Sequence, residues 1–187
     1  FVFDAVGDGI CSSIFIGTPA KLEILNQNQH PDSIGFFYSA VTEFCGFNIN
    51  EGEFKLMALA AYGEPIYAEF MLENLIKLST PSIKLNLDWF NFHKSVTSSY
   101  SELFQEKFGV AAKQNDLLFD AERFQNFANI AASAQNVTEK IICEIISWGI
   151  KETGIQNITV SGGVAQNCVA MYKASLLPEV KGFTVPP

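Results

Sequence analysis

The sequence predicts an α/β fold, and three stretches of the chain carry that prediction. The chain opens with three short strand-like runs joined by turns, within residues 1–25. An apolar periodicity predicts one long helix over residues 121–153. Between Asn157 and Tyr172, a β-branched run is followed by two glycines and a helix-like pattern. Strands and helices in this arrangement are typical of a mixed sheet with helices packed against it.

The first 25 residues predict an antiparallel meander. Apolar runs end at Asp4 and at Ile16, a third alternates from Lys21 to Leu25, and turns with Gly or Pro separate them. Asp4 follows a strand, so a structural role and a role as ligand of a hard cation both remain open. Asp8 precedes a glycine, which is typical of hairpin turns, and we favour that interpretation of Asp8.

The middle of the chain predicts several short elements. Asp32 or Ser33 can cap a helix over residues 33–46, which Gly46 ends. Helical patterns follow at 53–61, 67–78 and 100–108, a strand pattern at 83–89 and a loop at 110–119. We interpret residues 66–120 as an inserted helical and loop region. Lys55 is a lone cation on an apolar helix, where a surface lysine is commoner than a ligand of anions.

The long helix and the segment after it hold the most informative pattern. Small residues from Ala128 to Ala134 allow another backbone to approach closely. Beyond the helix, Gly162 and Gly163 lack Cβ atoms and permit positive φ, so a flat ligand can lie against their backbone. A helix that starts there offers N–H groups and a positive dipole end to phosphate or ribose oxygens, and Asn167 can both donate and accept. Packing alone would also explain the glycines, but the context favours a nucleotide site. A last strand is predicted over residues 181–185.

The amino-acid composition limits the classes of protein to which the chain can belong. The 187 residues are 48% hydrophobic and include 17 phenylalanines, which predicts one domain with an aromatic-rich core or a large covered face. A net charge of −8 disfavours nucleic-acid and anionic-membrane partners. The four cysteines form no C-x-x-C pair and predict reduced thiols in a cytoplasmic protein, and the two isolated histidines disfavour a closed zinc site. No apolar run has the length of a membrane span, and no secretory signal is visible.

Five segments, in their order along the chain, resemble the O-carbamoyltransferases of the NodU/CmcH type. Each segment alone is a weak signal, whereas five in order are specific and span nearly all of the chain. The glycine-rich motifs are also similar to domains of hydrogenase-maturation carbamoyltransferases and of tRNA threonylcarbamoyl transferases. The segments are Phe3–Gly9, Ser33–Ala40, Gly52–Gly63, Ile130–Gln135 and Ser161–Cys168.

This resemblance implies an ASKHA fold, the actin and sugar-kinase architecture in which two ribonuclease-H-like lobes enclose an ATP cleft. It implies that ATP and carbamoyl phosphate form carbamoyl-adenylate, from which the carbamoyl group passes to a hydroxyl of a small-molecule acceptor. The alternatives are a nucleotide-binding module without chemistry of its own, or a hydrogenase-maturation or threonylcarbamoyl-transferase relative. Acyl transfer to tRNA is disfavoured by the acidic charge.

The resemblance also implies roles for particular residues, although it leaves the catalytic residues unassigned. Asp4 matches an aspartate that helps to bind a divalent metal, typically iron. Lys55 matches a motif position without an assigned role. The residues that match nucleotide-binding positions are Gly162, Gly163 and Asn167 at the adenosine-binding turn, and Gly7 and Gly9 at the tight turn beside the phosphates.

The chain departs from the family pattern in three places. The paired metal histidines, H-x-x-x-H, would precede Asp4, and a Gly-Asp-Ala-Gly segment would follow Pro187. Ala5 stands where the family usually has glycine. We therefore expect residues 1–187 to be an internal part of the ATP-binding domain. Alone, they should carry out no carbamoyl transfer and bind nucleotide weakly, and exposed sheet edges and apolar faces should favour homo-oligomers.

Overall fold

The computed structural model describes residues 1–95, 97–113 and 121–186. The strands are β1 (Val2–Gly7), β2 (Ile10–Gly17), β3 (Leu22–Gln29), β4 (Ile76–Ser79), β5 (Ser82–Leu85), β6 (Asn157–Thr159) and β7 (Gly182–Thr184). The helices are α1 (Ile34–Phe44), α2 (Glu53–Ala60), α3 (Ala68–Asn74), α4 (Glu102–Phe108), α5 (Ala121–Thr153) and α6 (Cys168–Ser175). One compact unit comprises residues 1–35, 78–84 and 138–187, and the other comprises residues 36–77 and 85–137. The predicted α/β class is confirmed.

The first unit is built on strands of both orientations. β1, β2 and β3 pair antiparallel in that order, while β6 and β7 pair parallel, with Ile158 opposite Phe183. Beyond β6, Ser161 forms a parallel bridge with Val2, and its carbonyl accepts the N–H of Phe3 at 2.9 Å. β1 therefore lies between β2 and the segment that follows β6, and a single bridge joins the two sheets.

The β1–β2 connection is a two-residue hairpin. Asp8 and Gly9 both have positive φ, of 51° and 79°, and Gly7 lies opposite Ile10. Two positive φ angles characterise the type I′ turn, which matches the twist of the strands on either side. The predicted meander and the hairpin interpretation of Asp8 are both confirmed.

Helix α5 covers the predicted residues 121–153, and its second half packs against the sheet of the first unit. A Cβ on Gly149 would lie 2.7 Å from Cζ of Phe1 and 3.9 Å from Cγ2 of Ile14. Around it, Ile141, Ile145 and other isoleucines of this half are buried. Gly149 therefore allows the helix to approach β1 and β2 closely.

An aromatic core holds the second unit together. The ring of Phe44 lies 5.2 Å from Tyr100, 5.4 Å from Phe104, 6.1 Å from Phe108 and 5.9 Å from Phe127, measured between centroids. Tilted and edge-on rings at such distances add stabilisation beyond the area that they bury. The predicted aromatic-rich core is confirmed.

The turn after α2 lies directly on the first half of α5. A Cβ on Gly63 would stand 2.0 Å from the carbonyl oxygen of Ala128, so only glycine fits there. Side chains of the helix bind the backbone of the turn: Asn129 Oδ1 accepts from the N–H of Glu64 at 2.9 Å, and Ser133 Oγ accepts from the N–H of Tyr67 at 3.0 Å. The close approach predicted for the small-residue stretch is confirmed.

Two predictions in the middle of the chain were wrong. The helix predicted for 67–78 ends at Asn74, and Leu78 belongs to β4. The strand predicted for 83–89 ends at Leu85 and gives way to a 3-10 turn, Leu87–Trp89. Short apolar runs fit both the helical and the strand period, and here a local hairpin of β4 and β5 forms instead. Residues 114–119 of the predicted loop lie outside the described residues, and the insertion at 66–120 stays a prediction.

Within the described ranges, no helix combines the length and the apolar character that crossing a bilayer requires.

Candidate functional site

Asp4 lies in a bulge of β1. Phe3 is opposite Ser12 and Gly7 is opposite Ile10, so three residues of β1, Asp4 to Val6, face Cys11 alone. A bulge bends its strand and turns side chains away from the regular alternation, and bulges are frequent beside functional sites. The prediction that the first strand ends at Asp4 was wrong, because β1 continues to Gly7, and Asp4 lies within the strand at its distorted part.

The Asp4 carboxylate is fixed beside the double-glycine turn. Asp4 Oδ1 accepts the N–H of Ala5 at 2.8 Å. A Cβ on Gly163 would lie 3.1 Å from the same oxygen, closer than most side-chain contacts allow. The structure thus brings together two residues that the sequence predicted separately, one for a metal and one for a nucleotide.

Gly162 is required by the packing of the turn against β1. Its φ is 93°, and a Cβ there would lie 2.2 Å from the carbonyl oxygen of Phe3. No rearrangement of side chains can relieve a contact with backbone. Packing alone therefore accounts for Gly162, and a ligand-binding role for it stays a prediction.

The segment after the double glycine differs from the prediction. A 3-10 turn, Gly163–Gln166, intervenes, and α6 begins only at Cys168. Asn167 is the N-cap of α6, because its Oδ1 accepts the N–H of Ala170 at 3.0 Å. The prediction that a helix starts directly at the glycines was wrong, and the acceptor of Asn167 is engaged by the helix.

The helical spacing of Val164, Cys168, Met171 and Tyr172 in the sequence predicts that they share the apolar face of this helix. Met171 is buried as that pattern predicts, but Cys168 and Tyr172 are exposed. Ala170 and Ala174 are buried instead, so the buried face of α6 differs from the predicted one.

Gly7, Gly9 and Lys55 lie on the surface. Gly7 and Gly9 flank Asp8 in the exposed β1–β2 hairpin. Gly9 needs its positive φ of 79°, whereas a Cβ on Gly7 would meet no atom within 4 Å. Lys55 is exposed on α2 in the second unit, with its Nζ 5.8 Å from the ring centroid of Phe54. This placement agrees with the surface-lysine interpretation.

Sequence reasoning missed three residues beside Asp4. Ser33 is fully buried, and its Oγ donates to the carbonyl oxygen of Asp4 at 3.0 Å. A Cβ on Gly35 would lie 2.7 Å from the nitrogen of Ala5, so the first turn of α1 touches the bulge. Burial raises the pKa of the Cys11 thiol, a hydrogen bond with Ser33 lowers it, and the Asp32 and Asp4 carboxylates raise it. Ser33 had sequence signals as a candidate helix cap and as the first residue of a family segment, and neither signal predicted its contact with Asp4.

The described residues fit a single metal ligand rather than a complete metal site. No cluster of three or more His, Cys, Asp or Glu side chains suited to a metal occurs within the described ranges. Asp4 offers one carboxylate, and a transition metal needs several preorganised donors. What the site does provide is a negative charge next to the exposed backbone of Gly163.

The chain matches a known protein family. Residues 1–180 match the family model described as carbamoyltransferase N-terminus. Among relatives, the chain is 36% identical over 168 residues to the uncharacterized protein sll1178 of Synechocystis sp., which covers 89% of this chain and 26% of that protein. It is 31% identical over 184 residues to the uncharacterized protein MJ1051 of Methanocaldococcus jannaschii, with 98% and 33% covered.

A more distant relative is the nodulation protein NolNO of Sinorhizobium fredii. Identity is 22% over 171 residues, which cover 88% of this chain and 22% of that protein. The chain thus spans between 22% and 33% of the length of these relatives.

Proposed function

The chain belongs to the carbamoyltransferase family, whose N-terminal part its residues 1–180 match, and on that premise we propose that it forms part of the ATP-binding domain of an O-carbamoyltransferase. In the proposed reaction, water splits carbamoyl phosphate into carbamate and phosphate, and a carbamate oxygen then attacks the α-phosphorus of ATP, which gives carbamoyl-adenylate and releases pyrophosphate. A hydroxyl oxygen of a small-molecule acceptor then attacks the carbamoyl carbon, and AMP leaves. Adenylation turns a poor carbamoyl donor into one with a good leaving group.

The observation that carries the proposal is the contact between Asp4 and Gly163. These residues come from two of the five family segments, at opposite ends of the chain, and only 3.1 Å separates Asp4 Oδ1 from the Cβ position of Gly163. A nucleotide laid against the Gly163 backbone would have this carboxylate beside it. The geometry supports one site to which both segments contribute.

The strand arrangement supports the ASKHA architecture. Ribonuclease-H-like lobes mix antiparallel and parallel pairing, and the first unit contains the antiparallel sheet of β1, β2 and β3 beside the parallel pair of β6 and β7. β1 lies next to both β2 and the segment that follows β6. Asp4 is therefore carried by a strand with neighbours on both sides.

A divalent metal, iron by analogy with the family, belongs to the same proposal. A carboxylate and a phosphate repel each other, so Asp4 beside a nucleotide implies a cation or water between them. When bound, the metal would polarise the oxygens of the groups being transferred. Asp4 would hold one of its coordination positions, and the remaining donors must come from outside the residues described.

In this proposal, the residues of the chain bind the nucleotide and orient it. Gly163 leaves room for the carboxylate of Asp4, Ala5 holds one oxygen of that carboxylate, and Asn167 caps the helix after the turn. These contacts join residues of the chain to one another, so they preorganise the turn and lower the entropic cost of binding. The alternative function, a nucleotide-binding module without chemistry, would use the same contacts.

An assay for the adenylate separates the two functions. Full-length protein is incubated with ATP and carbamoyl phosphate, and carbamoyl-adenylate is sought by mass spectrometry. We expect the intermediate to form with the wild type and to be lost in Asp4→Ala. Glu23→Ala is the matched control, because Glu23 is an exposed acid at the sheet edge, paired with Lys21. ATP binding without any intermediate would favour the module.

A further inference from the structure

We propose that Ser33 is a positioning residue that orients the Asp4 carboxylate, an inference that rests on the proposed function of Asp4 at the nucleotide site. Ser33 precedes the first residue of α1, and its hydroxyl reaches across to the bulge in β1. Its sequence signals were those of a candidate helix cap and of the first residue of a family segment. The structure gives its hydroxyl a partner on the strand that carries Asp4.

Because of the bulge, the pairing of β1 with β2 does not fix the conformation of Asp4. Regular pairing with β2 stops at Phe3 and resumes at Gly7, so the intervening peptides do not follow the ladder. A strand segment outside the ladder can rotate its peptide planes more freely than a paired one. The direction of the Asp4 side chain must therefore be set by contacts other than those to β2.

Two hydrogen bonds meet on the peptide unit between Asp4 and Ala5. Its carbonyl oxygen accepts from Ser33 Oγ at 3.0 Å, and its N–H donates to Asp4 Oδ1 at 2.8 Å. Rotation of this peptide plane would break both bonds together. By holding the carbonyl, Ser33 fixes the direction of the N–H and, through it, the orientation of the carboxylate.

The residues around Ser33 restrict the geometry of its hydrogen bond to the Asp4 carbonyl oxygen. Ser33 has no solvent exposure, so water cannot readily replace its hydroxyl as a donor. Gly35 brings the first turn of α1 against the same peptide, with its Cβ position 2.9 Å from the Asp4 carbonyl oxygen and 2.7 Å from the Ala5 nitrogen. The start of α1 therefore acts as a clamp on the peptide that carries the carboxylate.

If Ser33 had only a structural role, its loss would have the same effect as the loss of another buried serine. Ser133 provides that control. Ser133 is also fully buried, and its Oγ also donates to a backbone carbonyl, that of Asn129 at 2.7 Å, within the second unit. Ser133→Ala removes this bond, and also the one that Oγ accepts from the Tyr67 N–H, at a place away from Asp4. Ser33→Gly complements Ser33→Ala, because glycine is tolerated at an N-cap and removes the hydroxyl at little cost to the helix.

Exchange of the Ala5 amide hydrogen measures the positioning directly. Hydrogen–deuterium exchange is followed at single-residue resolution in this chain, and ATP affinity is measured by calorimetry in the full-length protein. Ser33→Ala and Ser33→Gly should each speed exchange at Ala5 and weaken ATP binding by about fivefold or more, the effect of one hydrogen bond. Ser133→Ala should leave both quantities unchanged.

The two readouts separate failure of this inference from failure of the proposed function. If Ala5 exchange and ATP affinity in both Ser33 variants match the wild type, Ser33 does not position Asp4. If the wild type binds no ATP, the proposed function fails, while faster Ala5 exchange in the variants would still support the clamp. If Ser33→Ala does not fold, Ser33→Gly decides by the same two readouts.

Discussion

The carboxylate of Asp4 lies beside Gly163 on the side where a side chain would project, so that a Cβ at position 163 would come within 3.1 Å of Asp4 Oδ1. The parallel bridge between Val2 and Ser161 brings these two segments side by side. Asp4, predicted as a metal ligand, and Gly163, predicted to border a nucleotide, thus lie side by side. A side chain at position 163 would therefore require the carboxylate to shift by a few tenths of an ångström.

Gly162→Ala should destabilise the protein strongly. The added Cβ would meet the Phe3 carbonyl at 2.2 Å, and alanine would have to adopt a φ of 93°. Backbone strain and overpacking together predict a loss of about 3 kcal/mol in the free energy of unfolding, measured by urea denaturation. Gly17→Ala is the control, since its Cβ would make an ordinary 3.5 Å contact with Leu22, and should cost less than about 1 kcal/mol. Equal losses would mean that the turn does not pack on β1 as described.

Asn167 offers a test that separates capping from ligand binding. Asn167→Ala removes the acceptor for the Ala170 N–H and should lower stability by about 1 kcal/mol. Asn167→Asp keeps an acceptor oxygen at the cap but loses the amide donor. If Asn167 binds adenosine through that donor, calorimetry will show weaker ATP binding in the Asp variant at nearly unchanged stability. Wild-type affinity in that variant would leave Asn167 as a cap only.

The four thiols should react in a defined order. Cys168 is exposed, Cys143 is partly exposed, and Cys11 and Cys45 are buried. Burial raises the pKa of both buried thiols above the ordinary value of 9.0, so less thiolate forms at pH 8. A thiol reagent under native conditions should modify Cys168 first, and Cys11 and Cys45 only as the protein unfolds. Rapid modification of Cys11 in the folded protein would contradict its burial beside Asp4.

The same pKa shifts predict how stability depends on pH. The folded state keeps these two thiols protonated, whereas the unfolded state releases their protons near the ordinary pKa of 9.0. Their contribution to stability is therefore complete below pH 9.0 and is lost as the pH rises above it. Replacing Cys45 by alanine should flatten this alkaline decline in urea titrations.

Local signals in the sequence were sufficient for much of the fold. The Asp8–Gly9 hairpin needs only its own two residues, and the periodicity of α5 runs over 33 residues, so both were predicted correctly. The order of five segments identified the family, which the match over residues 1–180 confirms. These features depend on residues that are near each other in sequence, or on a pattern long enough to be unambiguous.

The features that the sequence did not predict depend on contacts between distant segments. The bond from Ser33 to the Asp4 carbonyl, and the contact that makes Gly162 necessary, join backbones whose separation no local pattern records. The late start of α6 at Cys168 has the same origin, since the turn before it is shaped by packing on β1. The roles of Gly7, Gly9 and Asn167 toward a nucleotide stay predictions.

The most direct test of the Asp4–Gly163 site is the ATP affinity of Gly163→Ala in the full-length protein, measured by calorimetry beside the wild type and Gly17→Ala. Gly163 has no positive φ, so alanine should fold there while its Cβ pushes the Asp4 carboxylate aside. We expect Gly163→Ala to weaken ATP binding by about tenfold or more, equivalent to about 1.4 kcal/mol, and Gly17→Ala to bind as the wild type does. Wild-type affinity in a folded Gly163→Ala variant would contradict the placement of the nucleotide at this turn.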